Sequence, residues 1–205
     1  MYKTISNKII RQFNPCYDPS KFITDETEEL TVKEWVEKYR NLIPTDDIIW
    51  LLLRKEFLSE KDLRLFAVWC AREALKFVEN PDERSVEVCN VAERYANGQA
   101  TKEELDAARN AANDAAYIAV YAAYEVVAAF DLAAASAASD VVYAANYAAA
   151  YSNYYATKAA YYAASDANYA AAYANYAATY VDACIARTDA DSGKSQIDQL
   201  LTYFE

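Results

Sequence analysis

Histidine is absent from the 205 residues. The side chain most used for general acid–base work near neutral pH is therefore missing. The serines, the threonines and Cys70, Cys89 and Cys184 have no imidazole to activate them, so no familiar nucleophile–base pair can be drawn. The four cysteines (Cys16, Cys70, Cys89 and Cys184) show no C-x-x-C spacing, and without histidine they offer no zinc-binding set. They read as free thiols of a reducing cytosol. The two glycines, Gly98 and Gly193, cannot build a phosphate-cradling G-x-x-x-x-G-K or G-x-G-x-x-G loop. Adjacent carboxylates such as Glu28/Glu29 and Asp46/Asp47 read as cap and loop residues. The expectation is a protein that is not an enzyme, uses no metal or cofactor, and works by binding.

Two sets of residues are suited to recognition. The first is Arg54, Lys55, Arg64 and Arg72, with Trp69 close to Arg72 in sequence. If their helices pack together, these cations and an indole converge on one anionic ligand or one acidic partner. The alternative is salt bridging to Glu56, Glu60, Asp62 and Glu73, with Arg64 and Glu60 at four-residue spacing. The second set is tyrosine: fourteen of the nineteen fall between Tyr117 and Tyr180, at helical spacing such as Tyr117, Tyr121, Tyr124 and Tyr169, Tyr173, Tyr176, Tyr180. These rings can serve as helix–helix packing, as a rigid recognition face for a protein, or as a stacking pocket for nucleobases. Specific recognition needs an aromatic anchor and a directional polar group. The expected site therefore joins Arg54, Arg64, Trp69 and Arg72 to Tyr117 and Tyr121.

Charge narrows the partners. The formal net charge is −11, and Lys158 is the one cation between Asn110 and Ala186. No basic stripe exists to neutralise phosphates, which argues against duplex DNA and against an anionic membrane. An acidic surface instead suits a basic partner or mimicry of a nucleic acid, or it simply keeps the chain soluble. Charged residues interrupt the N-terminal MYKTISNKIIRQF, which is unlike a signal peptide. The apolar stretch from Tyr117 to Ala138 is broken by Glu125 and Asp131 and is mostly alanine, too weak for a membrane span. The expectation is a cytoplasmic location.

The elements that must position these residues are helices. From Gln99 to Ser192 there is neither glycine nor proline, so strands and tight hairpins lack their turn chemistry there. Of the 80 residues from Ala107 to Ala186, 35 are alanine, the best helix former. Residues 1–30 read as an irregular segment in which Tyr2–Phe13 is a short strand or helix. Residues 31–100 read as a compact helical domain. Its start signals are a Thr31/Glu34 capping box, Thr45 after Pro44, and Ser59 ahead of the stripe Leu63, Phe66, Ala67, Cys70, Ala74, Phe77. A further helix from about Glu83 turns Val88, Val91, Ala92 and Tyr95 inward and stops at Gly98. Thr101 and Glu104 form a second capping box, opening an Ala/Tyr-rich region, residues 101–188. That region reads as an antiparallel bundle of long helices with breaks near Ser136–Asp140 and Ser165–Asp166. A tail, residues 189–205, ends in one short helix. The fold class is all-α, and apolar area on more than one side of the Ala/Tyr helices predicts a homo-oligomer.

The stretch IIWLLLRKEFLSEKDLRLFAVWCAREALKFVENPDERSVEVCNVAERYANGQATKEELDAARNAA, with FNPCYDPSKF upstream, resembles an alanine-rich immunity protein family (immunity protein five-like) common in bacteria and phages. The resemblance spans most of residues 11–188 and is sharpest in LRLFAVWCAREAL and VAERYANGQATKEELDAA. Where relatives often interleave Trp and Arg among the alanines, this chain carries Tyr and few arginines. The resemblance implies stoichiometric neutralisation of a protein toxin, or, in a phage, of a host defence effector. Two alternatives stand beside it: a sponge that sequesters a small nucleotide signal in a Tyr/Arg-lined pocket, and an acidic nucleic-acid mimic.

Overall fold

The computed structural model describes residues 1–15, 17–75, 80–131 and 190–204, together with Tyr154, Lys158 and Tyr161. The fold is all-α. Seven helices lie among the described residues, beside a two-stranded antiparallel sheet that pairs Thr4 with Thr31 and Ile5 with Leu30. Two compact units form: Met1–Glu60 with Gly193–Glu205, and Lys61–Ser192. The compositional boundary at about residue 100 falls inside the second unit.

In the first unit, the segment expected as strand or helix is both. Strand β1 (Thr4–Ile5) runs into helix α1 (Asn7–Gln12), capped where the Ser6 hydroxyl accepts from the Ile9 N–H. Asn14, at φ 49°, then takes the left-handed conformation that asparagine tolerates. Asn7 is fully buried and donates from Nδ2 to the Ile23 carbonyl at 2.8 Å, fastening the following loop to α1.

Strand β2 (Leu30–Thr31) leads into α2 (Val32–Tyr39) through the expected capping box. The Glu34 N–H donates to the Thr31 hydroxyl, and the Thr31 N–H donates to the Glu34 carboxylate. Helix α3 (Thr45–Leu52) corrects one expectation: Pro44 stands at the cap and Thr45 is the first helical residue, with no side-chain cap. The Pro44 carbonyl does the work, accepting from the N–H groups of Asp47 and Ile48. Ile48, Ile49, Leu51 and Leu52 of α3 are buried with Trp35, Val36, Ile5 and Ile10.

In the second unit, α4 (Glu60–Leu75) begins directly after Ser59 and buries Phe66, Ala67 and Cys70 of the predicted stripe. Leu63 is half-buried, while the Ala74 side chain and Phe77 lie outside the described residues. Helix α5 (Glu83–Ala96) buries Val88, Val91 and Ala92, with Tyr95 half-buried.

The chain then reverses within five residues. Gly98 adopts φ 71°, and the N–H groups of Gly98 and Gln99 close on the carbonyls of Tyr95 and Arg94. The second capping box forms as predicted. The Glu104 N–H donates to the Thr101 hydroxyl at 3.2 Å, and the Thr101 N–H donates to the Glu104 carboxylate at 2.7 Å. Helix α6 (Lys102–Asp131) packs back along α5. The expected breaks at 136–140 and 165–166, and with them the antiparallel bundle, lie outside the described residues.

The tail helix, α7 (Ala190–Leu201), starts ahead of Gly193 and belongs to the first unit from that glycine onward. It buries Ile197 and Leu200, and Asp198 pairs with Arg40 at 2.8 Å. Among the described residues, no helix is long and apolar enough to cross a membrane.

The reversal at Gly98 yields a stability prediction. A methyl group at Gly98 meets no neighbour within 4 Å, so its cost is conformational. Gly98→Ala should destabilise by roughly 1–2 kcal/mol, the usual penalty of a left-handed non-glycine residue. Thr101→Ala should cost about 1 kcal/mol through loss of the cap. Urea denaturation of the two variants measures both, and a Gly98→Ala chain as stable as wild type would contradict the assigned turn.

Candidate functional site

Helix α6 presents two faces of different character. Leu105, Ala112, Ala115 and Ala116 are buried, at the spacing of one helical stripe. The opposite stripe runs through Ala107, Asn110, Asp114, Tyr117 and Tyr121, all exposed. Tyr117 is 56% exposed, Ile118 58% and Tyr121 70%. Large apolar side chains this open, adjacent on one helix face, are not core packing. Neither ring is packed into the core formed by the described residues. The rest of the tyrosine ladder, apart from Tyr154 and Tyr161, lies outside the described residues.

Lys158 marks the edge of this face. Its ammonium lies 5.3 Å from the Tyr117 ring centroid, 5.2 Å from that of Tyr161 and 6.0 Å from that of Tyr154. It donates to Asn113 Oδ1 at 3.3 Å. Tyr154, Lys158 and Tyr161 are helical, and their four- and three-residue spacing places them on one face. Desolvation among the rings lowers the lysine's pKa below its ordinary value. Cation–π attraction of this kind offsets part of that desolvation. The Lys158 cluster was missed as a site in the sequence, although two signals were present. Lys158 is isolated in a cation-poor region, and it is flanked by tyrosines at i−4 and i+3.

The sequence-predicted residues are distributed between the two units. Arg54 belongs to the first, with its guanidinium carbon 4.0 Å from the Trp50 ring centroid and 5.2 Å from that of Phe13. The other five belong to the second. Arg64 of α4 lies over the ring of Tyr95 of α5 at 5.0 Å. Trp69 stacks on Phe66 of its own helix at 6.1 Å between centroids. Arg72 reaches across to α5, donating to Glu93 at 2.6 Å and to Asn90 Oδ1 at 3.2 Å. Arg72 thus has a carboxylate partner, Glu93 of α5, which is outside the set Glu56, Glu60, Asp62 and Glu73 expected for these cations. Both members of that pair are 42% exposed, so it contributes no more than about 1 kcal/mol. Tyr117 meets Lys158, and Tyr117 and Tyr121 are one turn apart on α6.

Thiol chemistry is disfavoured by burial. Cys70 and Cys89 are free and buried. Burial raises the Cys70 thiol pKa well above its usual value and that of Cys89 to about 12. Cys89 also donates to the Ser85 carbonyl at 3.4 Å. Neither is a nucleophile near neutral pH. Cys16 and Cys184 lie outside the described residues.

Compared with family models, curated proteins and solved structures, the chain matches none of them.

A pH dependence follows from Cys89. A thiol whose folded pKa is raised above its unfolded value stabilises the fold fully below the unfolded pKa. That contribution is lost as pH climbs through the folded one. The window runs from 9.0 to about 12. Urea midpoints should therefore fall across that range, and Cys89→Ala should make the fall shallower without abolishing it, because Cys70 and Tyr39, whose pKa values burial also raises, remain in both chains. Equal slopes in the two chains would show that the buried thiol does not contribute.

Proposed function

We propose that this protein is a non-enzymatic binder that neutralises a protein effector by stoichiometric association, with the exposed face of α6 as its recognition surface. The observation that carries this reading is the run Tyr117, Ile118 and Tyr121, each more than half exposed on one helix face. Tyrosines supply large, rigid, amphipathic area at low entropic cost, which is why they are enriched at protein interfaces. The formal charge of −11 favours a basic partner, and Asp114 on the same stripe adds a directional acceptor for it. The resemblance to immunity proteins supports the same role and names its class: a toxin, or a host defence effector if the gene is a phage's.

One observation favours a second reading, sequestration of a small nucleotide. Lys158 and the rings of Tyr117, Tyr154 and Tyr161 combine a cation with stacking surfaces. A tight ligand raises the melting temperature by mass action. A nucleotide panel that raises it for wild type, but not for Lys158→Gln, would replace the first reading with the second.

The protein-binding reading is tested by capture from a host lysate with wild-type chain and with Tyr121→Ala. The variant should fold with an unchanged melting temperature, because the removed ring is 70% exposed. It should lose captured partner by at least about tenfold, the size of a hot-spot truncation near 1.4 kcal/mol. Equal capture by both chains would remove α6 from the interface. Light scattering on the same pair tests the expected homo-oligomer. A dimer that Tyr121→Ala converts to monomer would make this face a self-interface and contradict the effector-binding role.

A further inference from the structure

We propose that Arg54, just beyond the C-terminal end of α3, is a receptor for a carboxylate group carried by a ligand outside this chain. The chain is rich in acidic groups, with 31 aspartates and glutamates, and its arginines ordinarily find one. Arg11 meets Glu26 at 2.6 Å, Arg40 meets Asp198 at 2.8 Å, Arg72 meets Glu93 at 2.6 Å, and Arg84 meets Asp82 at 2.7 Å. Arg54 differs. Its contacts are rings, Trp50 at 4.0 Å and Phe13 at 5.2 Å, and among the described residues it forms no ion pair with a carboxylate. Its Nε is buried and has no hydrogen-bond partner among the described residues.

The setting is built from several segments. Phe13 packs on Phe57 at 6.0 Å and on Tyr2 at 6.4 Å, and the Tyr2 N–H donates to the Glu56 carbonyl at 2.6 Å. The N-terminal segment and the turn after α3 are thereby held together, with Arg54 at the border of the ring cluster. Rings satisfy the faces of a guanidinium and leave its N–H groups, which donate only in the plane of the group. With Nε covered and the side chain half-buried, the terminal nitrogens are the donors left for a ligand. Two parallel N–H donors match the two oxygens of a planar carboxylate. The net charge of −11 selects further, since it repels a dianionic phosphate more than a singly charged carboxylate. This site is independent of the α6 face: it lies in the other unit, and its failure would leave the tyrosine reading untouched.

The arginine Nε–Hε region of a nitrogen–proton correlation spectrum reads the site directly. Sodium acetate replaces sodium chloride at constant ionic strength, with sodium phosphate as a second arm. The Arg54 cross-peak is the one missing from Arg54→Lys, and through-space transfer from the Trp50 ring assigns it independently should that variant not fold. The expected result is a saturable shift with acetate, at least roughly tenfold weaker with phosphate. A linear shift indistinguishable from that of other arginines would overturn the proposal. A tighter response to phosphate would overturn the assignment of carboxylate as the ligand.

Discussion

The second unit depends on one short reversal. Gly98 in the left-handed conformation ends α5, and the Thr101–Glu104 capping box starts α6 three residues later. Together they fix where α6 begins, and so which residues of a nearly featureless alanine helix face α5. Leu105 is the first large apolar side chain after the cap and is buried. Ala112, Ala115 and Ala116 follow it inward at helical spacing, small enough to let two helix axes approach closely. Tyr117 and Tyr121 are then carried to the opposite face by the 3.6-residue period. A cap displaced by one residue would rotate that face by about 100°.

Most of the helical content was legible because helix punctuation is local. The two capping boxes at Thr31 and Thr101 and the stop at Gly98 each depend on residues within a few positions of the backbone they serve. Such signals survive without knowledge of tertiary structure. Pro44 was harder, because a proline carbonyl can serve the first turn without any side-chain cap, and the neighbouring threonine looked like the better candidate. The two-residue strands at Thr4–Ile5 and Leu30–Thr31 were illegible as a pair, since they are 25 residues apart and too short to show alternation. The membership of the tail helix in the first unit is a property of Ile197, Leu200 and Asp198 meeting distant residues, which no periodicity encodes.

The candidate site was legible in kind and not in arrangement. Tyr117 and Tyr121 stood out by type, but helical spacing alone cannot say whether a stripe of rings faces inward or outward. The alanines decide it, because the buried stripe of α6 is built from the smaller residues. The arginines illustrate the converse. Arg72 was grouped with Trp69 from sequence proximity, whereas its actual partners, Asn90 and Glu93, come from α5. Arg54, on the other unit, holds aromatic company from the preceding helix α3 and from the N-terminal segment. Long flexible cations take their partners from neighbouring helices, and those neighbours are set by packing.

The central claim is that the open tyrosine stripe of α6 is where a protein partner seats. Hydroxyl-radical footprinting of the free chain and of its complex with the captured partner tests it most directly. Tyr39, the buried last residue of α2, serves as the internal reference. Tyr117 and Tyr121 should be modified readily in the free chain and protected in the complex, while Tyr39 stays unmodified in both. Unchanged modification of Tyr117 and Tyr121 on partner binding would contradict the account.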